Sequence, residues 1–408
     1  MTAGPTALVS LTKLATYEPM AVLQAMRTCL EPFGGMATFV KPGQKVLLKP
    51  NLLGPFPADQ AVTTHPSIVR AAAILVREAG GRPYIGDSPA VGRLSQVAGV
   101  TGMLDVVAET GAPLLELEEP GEFEVPGHGI FPRLVLARTL SQVDVVISLP
   151  KLKTHSQMIL TGALKNQFGC VPGLLKSEWH FRLQERKWLA ALLLDIHRAI
   201  RPCLAIMDAV VAMEGPGPSA GHPRPLGVLL AGTDFVAVDA VACHLIGLSP
   251  AQVPSCRAAH EQGVGETDLQ RLRLVGPDWR TLRVSDFQPP PQPAEVLRLL
   301  PLPPALLRGL RRQWTLRPVI LPGRCTRCGI CEERCPVRPS AIHPRACPSH
   351  QLDDRRCIRC YCCHEFCPAH AIVLRSSRTS RWLPLRPVAR GVNRLLGWLA
   401  ALRQDRTH

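Results

Sequence analysis

The sequence predicts an α/β protein: one large α/β domain with a mainly parallel sheet, followed by a small α+β domain. Three observations lead there. Over residues 1–287, short apolar runs that end in Pro, Asn or Asp alternate with stretches of helical spacing. A Pro-rich stretch then interrupts the pattern, and beyond it lie most of the chain's 15 cysteines, in two runs of identical spacing.

Lys45-Val-Leu-Leu-Lys49 is a short apolar run ending at Pro-Asn, as a buried strand leading into a loop does. Residues 66–79 have helical spacing, with Thr64 or His65 near the start and Gly80-Gly81 as the stop. Arg82-Pro-Tyr-Ile-Gly86 reads as the next strand, running into Asp87-Ser-Pro. Val143-Asp-Val-Val-Ile-Ser148 is a further strand that ends at Pro150. Leu204-Ala-Ile-Met207 and Leu226-Gly-Val-Leu-Leu230 are two more, and residues 235–246 are a helix after the second. Gln288-Pro-Pro-Pro-Gln-Pro293 and Pro301-Leu-Pro-Pro304 suit neither a sheet interior nor a long helix, because proline lacks the N–H donor. Residues 288–323 are therefore read as a Pro/Arg-rich spacer and 324–374 as the cysteine domain. In the basic tail, 375–408, Val388, Val392, Leu395, Leu399 and Leu402 share one helical face.

The cysteine runs are Cys325-Thr-Arg-Cys328-Gly-Ile-Cys331-Glu-Glu-Arg-Cys335-Pro336 and Cys357-Ile-Arg-Cys360-Tyr-Cys-Cys363-His-Glu-Phe-Cys367-Pro368. Both have the C-x2-C-x2-C-x3-C-P spacing of bacterial two-cluster ferredoxins. Short spacings let three thiolates wrap one face of an iron–sulfur cube, and the fourth cysteine, after a longer gap, completes the other cube. One [4Fe–4S] cluster is expected on Cys325, Cys328, Cys331 and Cys367. The second is expected on Cys357, Cys360, Cys363 and Cys335, in a small bacterial-ferredoxin-like domain. Zinc sites more often pair C-x2-C units across a longer loop. A disulfide framework needs an oxidising compartment, and the chain shows no export signal. Cys347 and Cys362 have no place in the pattern and are read as spare thiols.

Charge follows the same division. Residues 1–304 hold 27 Lys and Arg against 26 Asp and Glu, whereas 305–408 hold 20 Arg, no Lys and 6 acids; +14 of the +15 net charge therefore surrounds the cysteines. Aromatic stacking residues are sparse there and no nucleic-acid motif accompanies the arginines, which argues against nucleic-acid binding. The simpler causes are the negative charge of thiolate-ligated clusters and attraction of an acidic redox partner, a ferredoxin or reductase, or of anionic lipid. The apolar face of the tail suits packing on protein or peripheral membrane contact. No stretch approaches the roughly 20 apolar residues of a membrane span, and the cysteine usage fits the cytoplasm.

Polar blocks in the large domain stand where the strand readings end, and open α/β sheets bind their ligands there. The blocks are Lys49-Pro-Asn51, Thr63-Thr-His65-Pro66, Gly86-Asp87-Ser88-Pro89, Pro150-Lys-Leu-Lys-Thr-His155, Lys165-Asn166-Gln-Phe-Gly169, and Lys176 with His180. Four of the nine lysines, Lys151, Lys153, Lys165 and Lys176, fall within 26 positions. A lysine-dense loop at a strand end suits a carboxylate or phosphate. His155, Lys153 and Lys165 are the candidate catalytic residues, with His155 as proton donor. Lys49, Asn51, His65, Asp87, Lys151, Asn166 and His180 are the candidate contacts to a small anionic substrate. Each block also has a structural alternative. Prolines end elements, Asn51 and Asp87 form turns, and a single histidine is most often structural. Gly215-Pro-Gly-Pro218 reads as a rigid turn rather than a phosphate cradle. Asp208, Glu214 and Asp239 are candidate ligands of a divalent metal, at a spacing that is not diagnostic. A glycine-rich dinucleotide loop is missing. A bound flavin stays compatible, since flavin sites often lack short motifs.

Taken in order, several blocks resemble the family known as domain of unknown function 362. They are Lys49-Pro-Asn51, Thr64-His-Pro66, Gly86-Asp-Ser-Pro89, Leu149-Pro-Lys-Leu-Lys-Thr-His155, Thr161-Gly-Ala-Leu-Lys-Asn-Gln-Phe-Gly169, Glu214-Gly-Pro-Gly-Pro218, Gly232-Thr-Asp234 and Ala237-Val-Asp239. The resemblance covers about residues 40–250, and members of that family often carry a fused pair of ferredoxin motifs. The extra proline–glycine alternation after Glu214 departs from the family pattern. The resemblance implies no reaction. The expected function is an iron–sulfur oxidoreductase that passes electrons through two clusters to an anionic substrate in the α/β domain. The alternatives are a non-catalytic electron carrier or assembly factor whose α/β domain docks a partner protein, and a transferase or isomerase with sensing clusters.

Overall fold

The computed structural model describes residues 7–127, 129–290, 315–347 and 351–375. They fall into two units, Met1–Pro290 and Pro291–His408. The basic tail beyond 375 and most of the Pro-rich spacer, 291–314, lie outside the described residues.

The first unit opens with β1 (Ala7–Lys13), α1 (Pro19–Leu30) and β2 (Lys45–Pro50). The apolar run of β2 does not alternate because both of its faces are covered: Val46 and Leu48 enter one hydrophobic core and Leu47 the other. The helix α2 (Pro66–Glu78) follows, opened by Pro66 and by His65 Nδ1, which accepts from Ser67 N at 3.2 Å. Its Ile68, Val69, Ala72, Ala73 and Val76 recur at helical spacing and pack into the core that holds Val46. Next come β3 (Arg82–Ile85), α3 (Leu94–Thr101), α4 (Met103–Thr110), and the hairpin of β4 (Pro120–Glu124) and β5 (Arg133–Ala137). The chain continues through β6 (Val145–Leu149), β7 (Lys151–His155), β8 (Ile159–Thr161), α5 (Ala163–Asn166), α6 (Leu175–Arg182) and α7 (Arg186–Ile200). It ends in β9 (Leu204–Glu214), β10 (His222–Gly232), α8 (Phe235–Leu245), α9 (Pro254–Glu261), β11 (Leu272–Val275) and α10 (Trp279–Leu282).

Among the described residues nine of these eleven strands form one sheet, ordered β11-β1-β10-β9-β6-β2-β3, with β7 on β9 and β8 on β7, and β4 and β5 pair only with each other. Helices α1 to α4 cover one face and α5, α7, α8 and α9 the other, so the unit is a three-layer α/β structure. The sheet is mixed: five of its eight strand pairings are parallel and three are antiparallel, an antiparallel part that the expectation of a mainly parallel sheet left out. Strands β9, β6, β2 and β3 run parallel, but β10 is antiparallel to both β9 and β1. The cause is the Glu214-Gly-Pro-Gly-Pro218 block. It folds the chain straight back as the rigid turn read from its prolines and glycines, pairing Glu214 with His222. Gly215 sits there at φ 80°, a conformation that suits glycine.

A second correction concerns residues 151–155. Read as a loop, they form β7, which begins after Pro150 and extends the line of β6 along β9, pairing Lys151 with Asp208. The parallel strands, in chain order β2, β3, β6, β9, lie in space as β3-β2-β6-β9. The chain therefore leaves β2 in one direction and later returns to its other side, which makes a topological switch point between β2 and β6.

In the second unit β12 (Arg317–Ile320) pairs antiparallel with β13 (Ile372–Arg375). Residues 317–320 thus belong to this unit and not to the spacer. Between the strands lie two one-turn helices, α11 (Ile330–Glu333) and α12 (Cys362–Glu365). The two cysteine runs repeat one backbone path. Arg327 and Arg359 have φ 56° and 59°, and the residues two further on, Gly329 and Tyr361, have φ 85° and 66°.

Candidate functional site

The ends of β2, β3 and β6 bring most of the sequence-predicted residues together at the switch point. Lys49 is fully buried, and its Nζ donates to Asp87 Oδ1 at 2.9 Å and Asn166 Oδ1 at 3.5 Å. Asp87 is held further by Leu52 N at 2.7 Å and Ser88 N at 2.9 Å. Asn166 donates to Lys49 O and Ser148 Oγ and accepts from Asn51 Nδ2 at 3.3 Å. Asn51 in turn accepts from Lys153 Nζ at 2.9 Å, and that ammonium also reaches Val62 O at 2.6 Å. Buried polar groups are tolerable when satisfied in this way.

A second group adjoins β9. Lys151 Nζ donates to Asp208 Oδ2 at 2.8 Å and to Tyr17 Oη at 2.8 Å; Tyr17 Oη donates to Asp208 Oδ1 at 2.7 Å. The ring of Tyr17 stacks on His65, with centroids 3.6 Å apart, and His65 N donates to Asp208 Oδ2. Burial holds Lys151 below the usual ammonium range, against the opposing charge of Asp208. Burial and Asp208 push the Tyr17 hydroxyl up, and burial takes His65 down to about 4. Sequence reasoning missed Tyr17: it stands in the loop between β1 and α1, and no motif surrounds it.

The other predicted residues occupy separate places. Lys176 Nζ donates to Ser88 Oγ at 2.6 Å, which itself donates to Glu118 Oε1 at 2.9 Å; burial lowers Lys176 to about 8. His180 meets Phe168 edge-on at 5.7 Å, and Lys165 Nζ lies 5.6 Å from the same ring. His155 Nδ1 accepts from Gln157 N at 3.1 Å and Met158 N at 3.0 Å. Those two donors hold the turn between β7 and β8 and leave the ring proton on Nε2, an arrangement that opposes His155 as an imidazolium donor.

Two motif glycines are explained by close approach. A Cβ at Gly169 would lie 2.0 Å from Asp87 Oδ1 and 2.6 Å from Lys49 Nζ, and one at Gly162 would lie 2.0 Å from Asp239 Oδ1. Asp239 accepts from Ala163 N and Leu164 N at the start of α5, while burial pushes it up to about 7. Glu214 accepts from Gln288 N at 2.9 Å, and Asp208 holds Lys151. The three carboxylates expected as ligands of one divalent ion are therefore engaged separately, and among the described residues no three His, Cys, Asp or Glu side chains gather on a single ion. A cavity of about 540 Å³ beside α1 and α2 contains Arg27, Glu31 and Glu78 and none of the predicted site residues.

In the second unit two small cavities sort the cysteines. One is lined by Cys325, Cys328, Cys331 and Cys367, with Ile320, Ile330 and Ile372. The other is lined by Cys335, Cys357, Cys360 and Cys363, with Val337 and Leu352. No disulfide joins these eight. A cube takes one thiolate on each of four irons, so its thiols surround a cavity instead of meeting at one ion. Four thiols around an apolar cavity fit that requirement twice. Cys362 and Cys347 line neither cavity.

Comparison with known proteins adds two findings. The family model described as "Domain of unknown function (DUF362)" matches residues 46–244. The "Thylakoid-associated protein sll1697" of Synechocystis sp. (strain ATCC 27184 / PCC 6803 / Kazusa) is 42% identical over 261 residues, which cover 64% of this chain and 80% of that protein.

Proposed function

We propose, for a chain that belongs to the domain of unknown function 362 family, that it is an iron–sulfur oxidoreductase. In this reading the second unit holds two [4Fe–4S] clusters in a ferredoxin-like domain, and the first unit binds a small anionic substrate at the ends of β2, β3 and β6. The observation that carries the reading is the sorting of eight cysteines into two cavities, four to each, with Cys335 and Cys367 exchanged between the sequence runs. When bound, the clusters supply electrons one at a time.

The chain's own residues do the rest. Lys49, Lys151, Lys153 and Lys176 set four ammoniums against the carboxylates of Asp87, Asp208 and Glu118, a balance that favours one further anion. The half-buried Asn51, His65 and Tyr17 form the accessible rim above them. Tyr17 keeps its one hydroxyl proton on Asp208 and accepts from Lys151, and in this reading it orients the substrate at that rim. Partner docking through the lysines has less support, because Lys49, Lys151 and Lys153 are buried.

An acidic redox partner, a ferredoxin or reductase, would meet the exposed Arg324, Arg327 and Arg355. We read the protein as cytoplasmic with peripheral membrane contact. Support comes from the arginine-rich residues after 375 and from a relative named for thylakoid association. Among the described residues no helix is long and apolar enough to cross a membrane. Vesicle flotation of the full chain against residues 1–380 tests that contact.

Anaerobic purification and reconstitution test the central claim. About eight irons per chain are expected, and mass spectrometry of the same preparation identifies any retained anion. Tyr17→Phe should stop turnover of that compound while dithionite still reduces the clusters. Zinc in place of iron would end the reading.

A further inference from the structure

Arg327 and Arg359 hold the same position in the two cysteine runs, with matching backbones. Their side chains differ. Arg327 is exposed. The Arg359 side chain is 9% exposed; its Nη2 donates to Asp354 Oδ1 at 2.6 Å and its Nη1 to Cys357 Sγ at 3.8 Å. The same Asp354 Oδ1 also lies 3.6 Å from Arg317 Nε, at a half-exposed position. The Arg359 Nε–H is buried and meets no acceptor among the described residues. Leaving such a donor unsatisfied is costly, and the contact of Nη1 with Cys357 Sγ sets the guanidinium beside the quartet of Cys335, Cys357, Cys360 and Cys363, whose thiols line one cavity.

We propose that Arg359 is a positioning residue that directs its N–H donors onto the sulfur of this second quartet and raises the reduction potential of the cluster held there. Arg327 does no such thing for the first quartet. The inference rests on the iron–sulfur reading above. Reduction adds one electron from an external one-electron reductant; no proton or atom moves, and the cluster gains one negative charge. A fixed cation with N–H···S contacts stabilises the reduced form more than the oxidised form. The two clusters, alike in ligand spacing, are thereby made unequal.

The test is a potentiometric titration of the reconstituted full chain, with dithionite as reductant and electron paramagnetic resonance as readout. Wild type, Arg359→Gln, Arg359→Lys and Arg327→Gln are compared at equal iron content. Arg359→Gln is expected to lower the reduction constant of one cluster about tenfold, equivalent to about 59 mV for one electron, and to leave the other unmoved. Arg359→Lys keeps the charge but loses the Nε–H, and its midpoint should fall between. Arg327→Gln should move neither. Unchanged midpoints in Arg359→Gln, or an equal shift in Arg327→Gln, overturn the proposal. If Arg359→Gln fails to hold its iron, Arg359→Lys decides, and an unmoved midpoint there overturns it. A wild-type chain that takes up no iron refutes the underlying iron–sulfur reading instead, so the two failures are distinct.

Discussion

Removing the Asp208 carboxylate probes the buried network most directly. Asp208 is fully buried and accepts from Lys151 Nζ at 2.8 Å, Tyr17 Oη at 2.7 Å and His65 N at 3.0 Å. Asp208→Ala strands an ammonium that is 1% exposed, together with a hydroxyl and the backbone N–H groups of His65 and Val210. Breaking one side of a buried pair costs about 3–5 kcal/mol, and a stranded neutral donor about 1–3 kcal/mol. Water entering the space of the lost side chain recovers part of this, so a net loss of about 4–6 kcal/mol is expected, a large share of the about 5–15 kcal/mol that holds a fold. Lys151→Met leaves Asp208 charged but still served by Tyr17 and backbone donors, and should cost about 3 kcal/mol. The double variant removes both charges. It should be more stable than the sum of single losses predicts, by about 2–3 kcal/mol. Urea unfolding of the full chain, followed by circular dichroism under anaerobic conditions, gives all four corners of the cycle. Losses that add to within about 0.5 kcal/mol would show that the two groups do not act as a pair.

Further outcomes are expected elsewhere. Gly169→Ala drives a methyl into the Lys49–Asp87 pair and should destabilise by about 3 kcal/mol, whereas the exposed Gly323→Ala, which meets nothing within 4 Å, should change stability by less than about 0.5 kcal/mol; equal losses in thermal melts would contradict the close-approach argument. Lys176 titrates at about 8 in the fold and about 10.4 in an unfolded chain. Between those values the unfolded chain holds a proton that the folded chain has released, so stability rises with pH there, and the penalty is fully present below pH 8. Lys176→Met should therefore stabilise by about 2–3 kcal/mol at pH 7, with the gain fading by about pH 10; a gain independent of pH would refute the assignment. Cys367→Ser should abolish the same spectroscopic signal as Cys325→Ser, and Cys335→Ser the same as Cys357→Ser, each leaving about four irons. Pairing of Cys367 with Cys357 in this comparison would refute the exchanged fourth ligand.

What could be read in advance depended on whether the cause was local. Strands β2 and β6 were legible because burial on both faces leaves continuous apolar runs at Val46 to Leu48 and Val145 to Ile147. The outer halves of β9 and β10 were not, since Asp208, Glu214, His222 and Pro225 do not resemble strand interior; they are extended because they pair with each other. Strand β7 was hidden for a related reason. Two lysines and a histidine in five residues read as solvated loop, and only Asp208 and Asn51, far off in the chain, make their burial tolerable. The proposed cysteine quartets rest on spacing within the chain, and the lining of the two cavities is the support offered for them. Tyr17 carried no signal at all, because its role comes from Lys151 and Asp208.

The place of β1 in the sheet has a consequence for synthesis. Its partners are Val228 to Gly232 on one side and Leu272 to Val275 on the other, so Val9 waits for Gly232, 223 residues later. At about 5–20 residues per second, roughly 10–45 s separate the two on the ribosome. During that interval the first strand has no edge to join, and Tyr17, carried just behind it, cannot reach Asp208. The Tyr17–Lys151–Asp208 contacts are therefore completed late, after both strands of the antiparallel hairpin have emerged. A nascent chain stalled before residue 222 would expose Val9 and Leu11, and is where chaperone capture should concentrate.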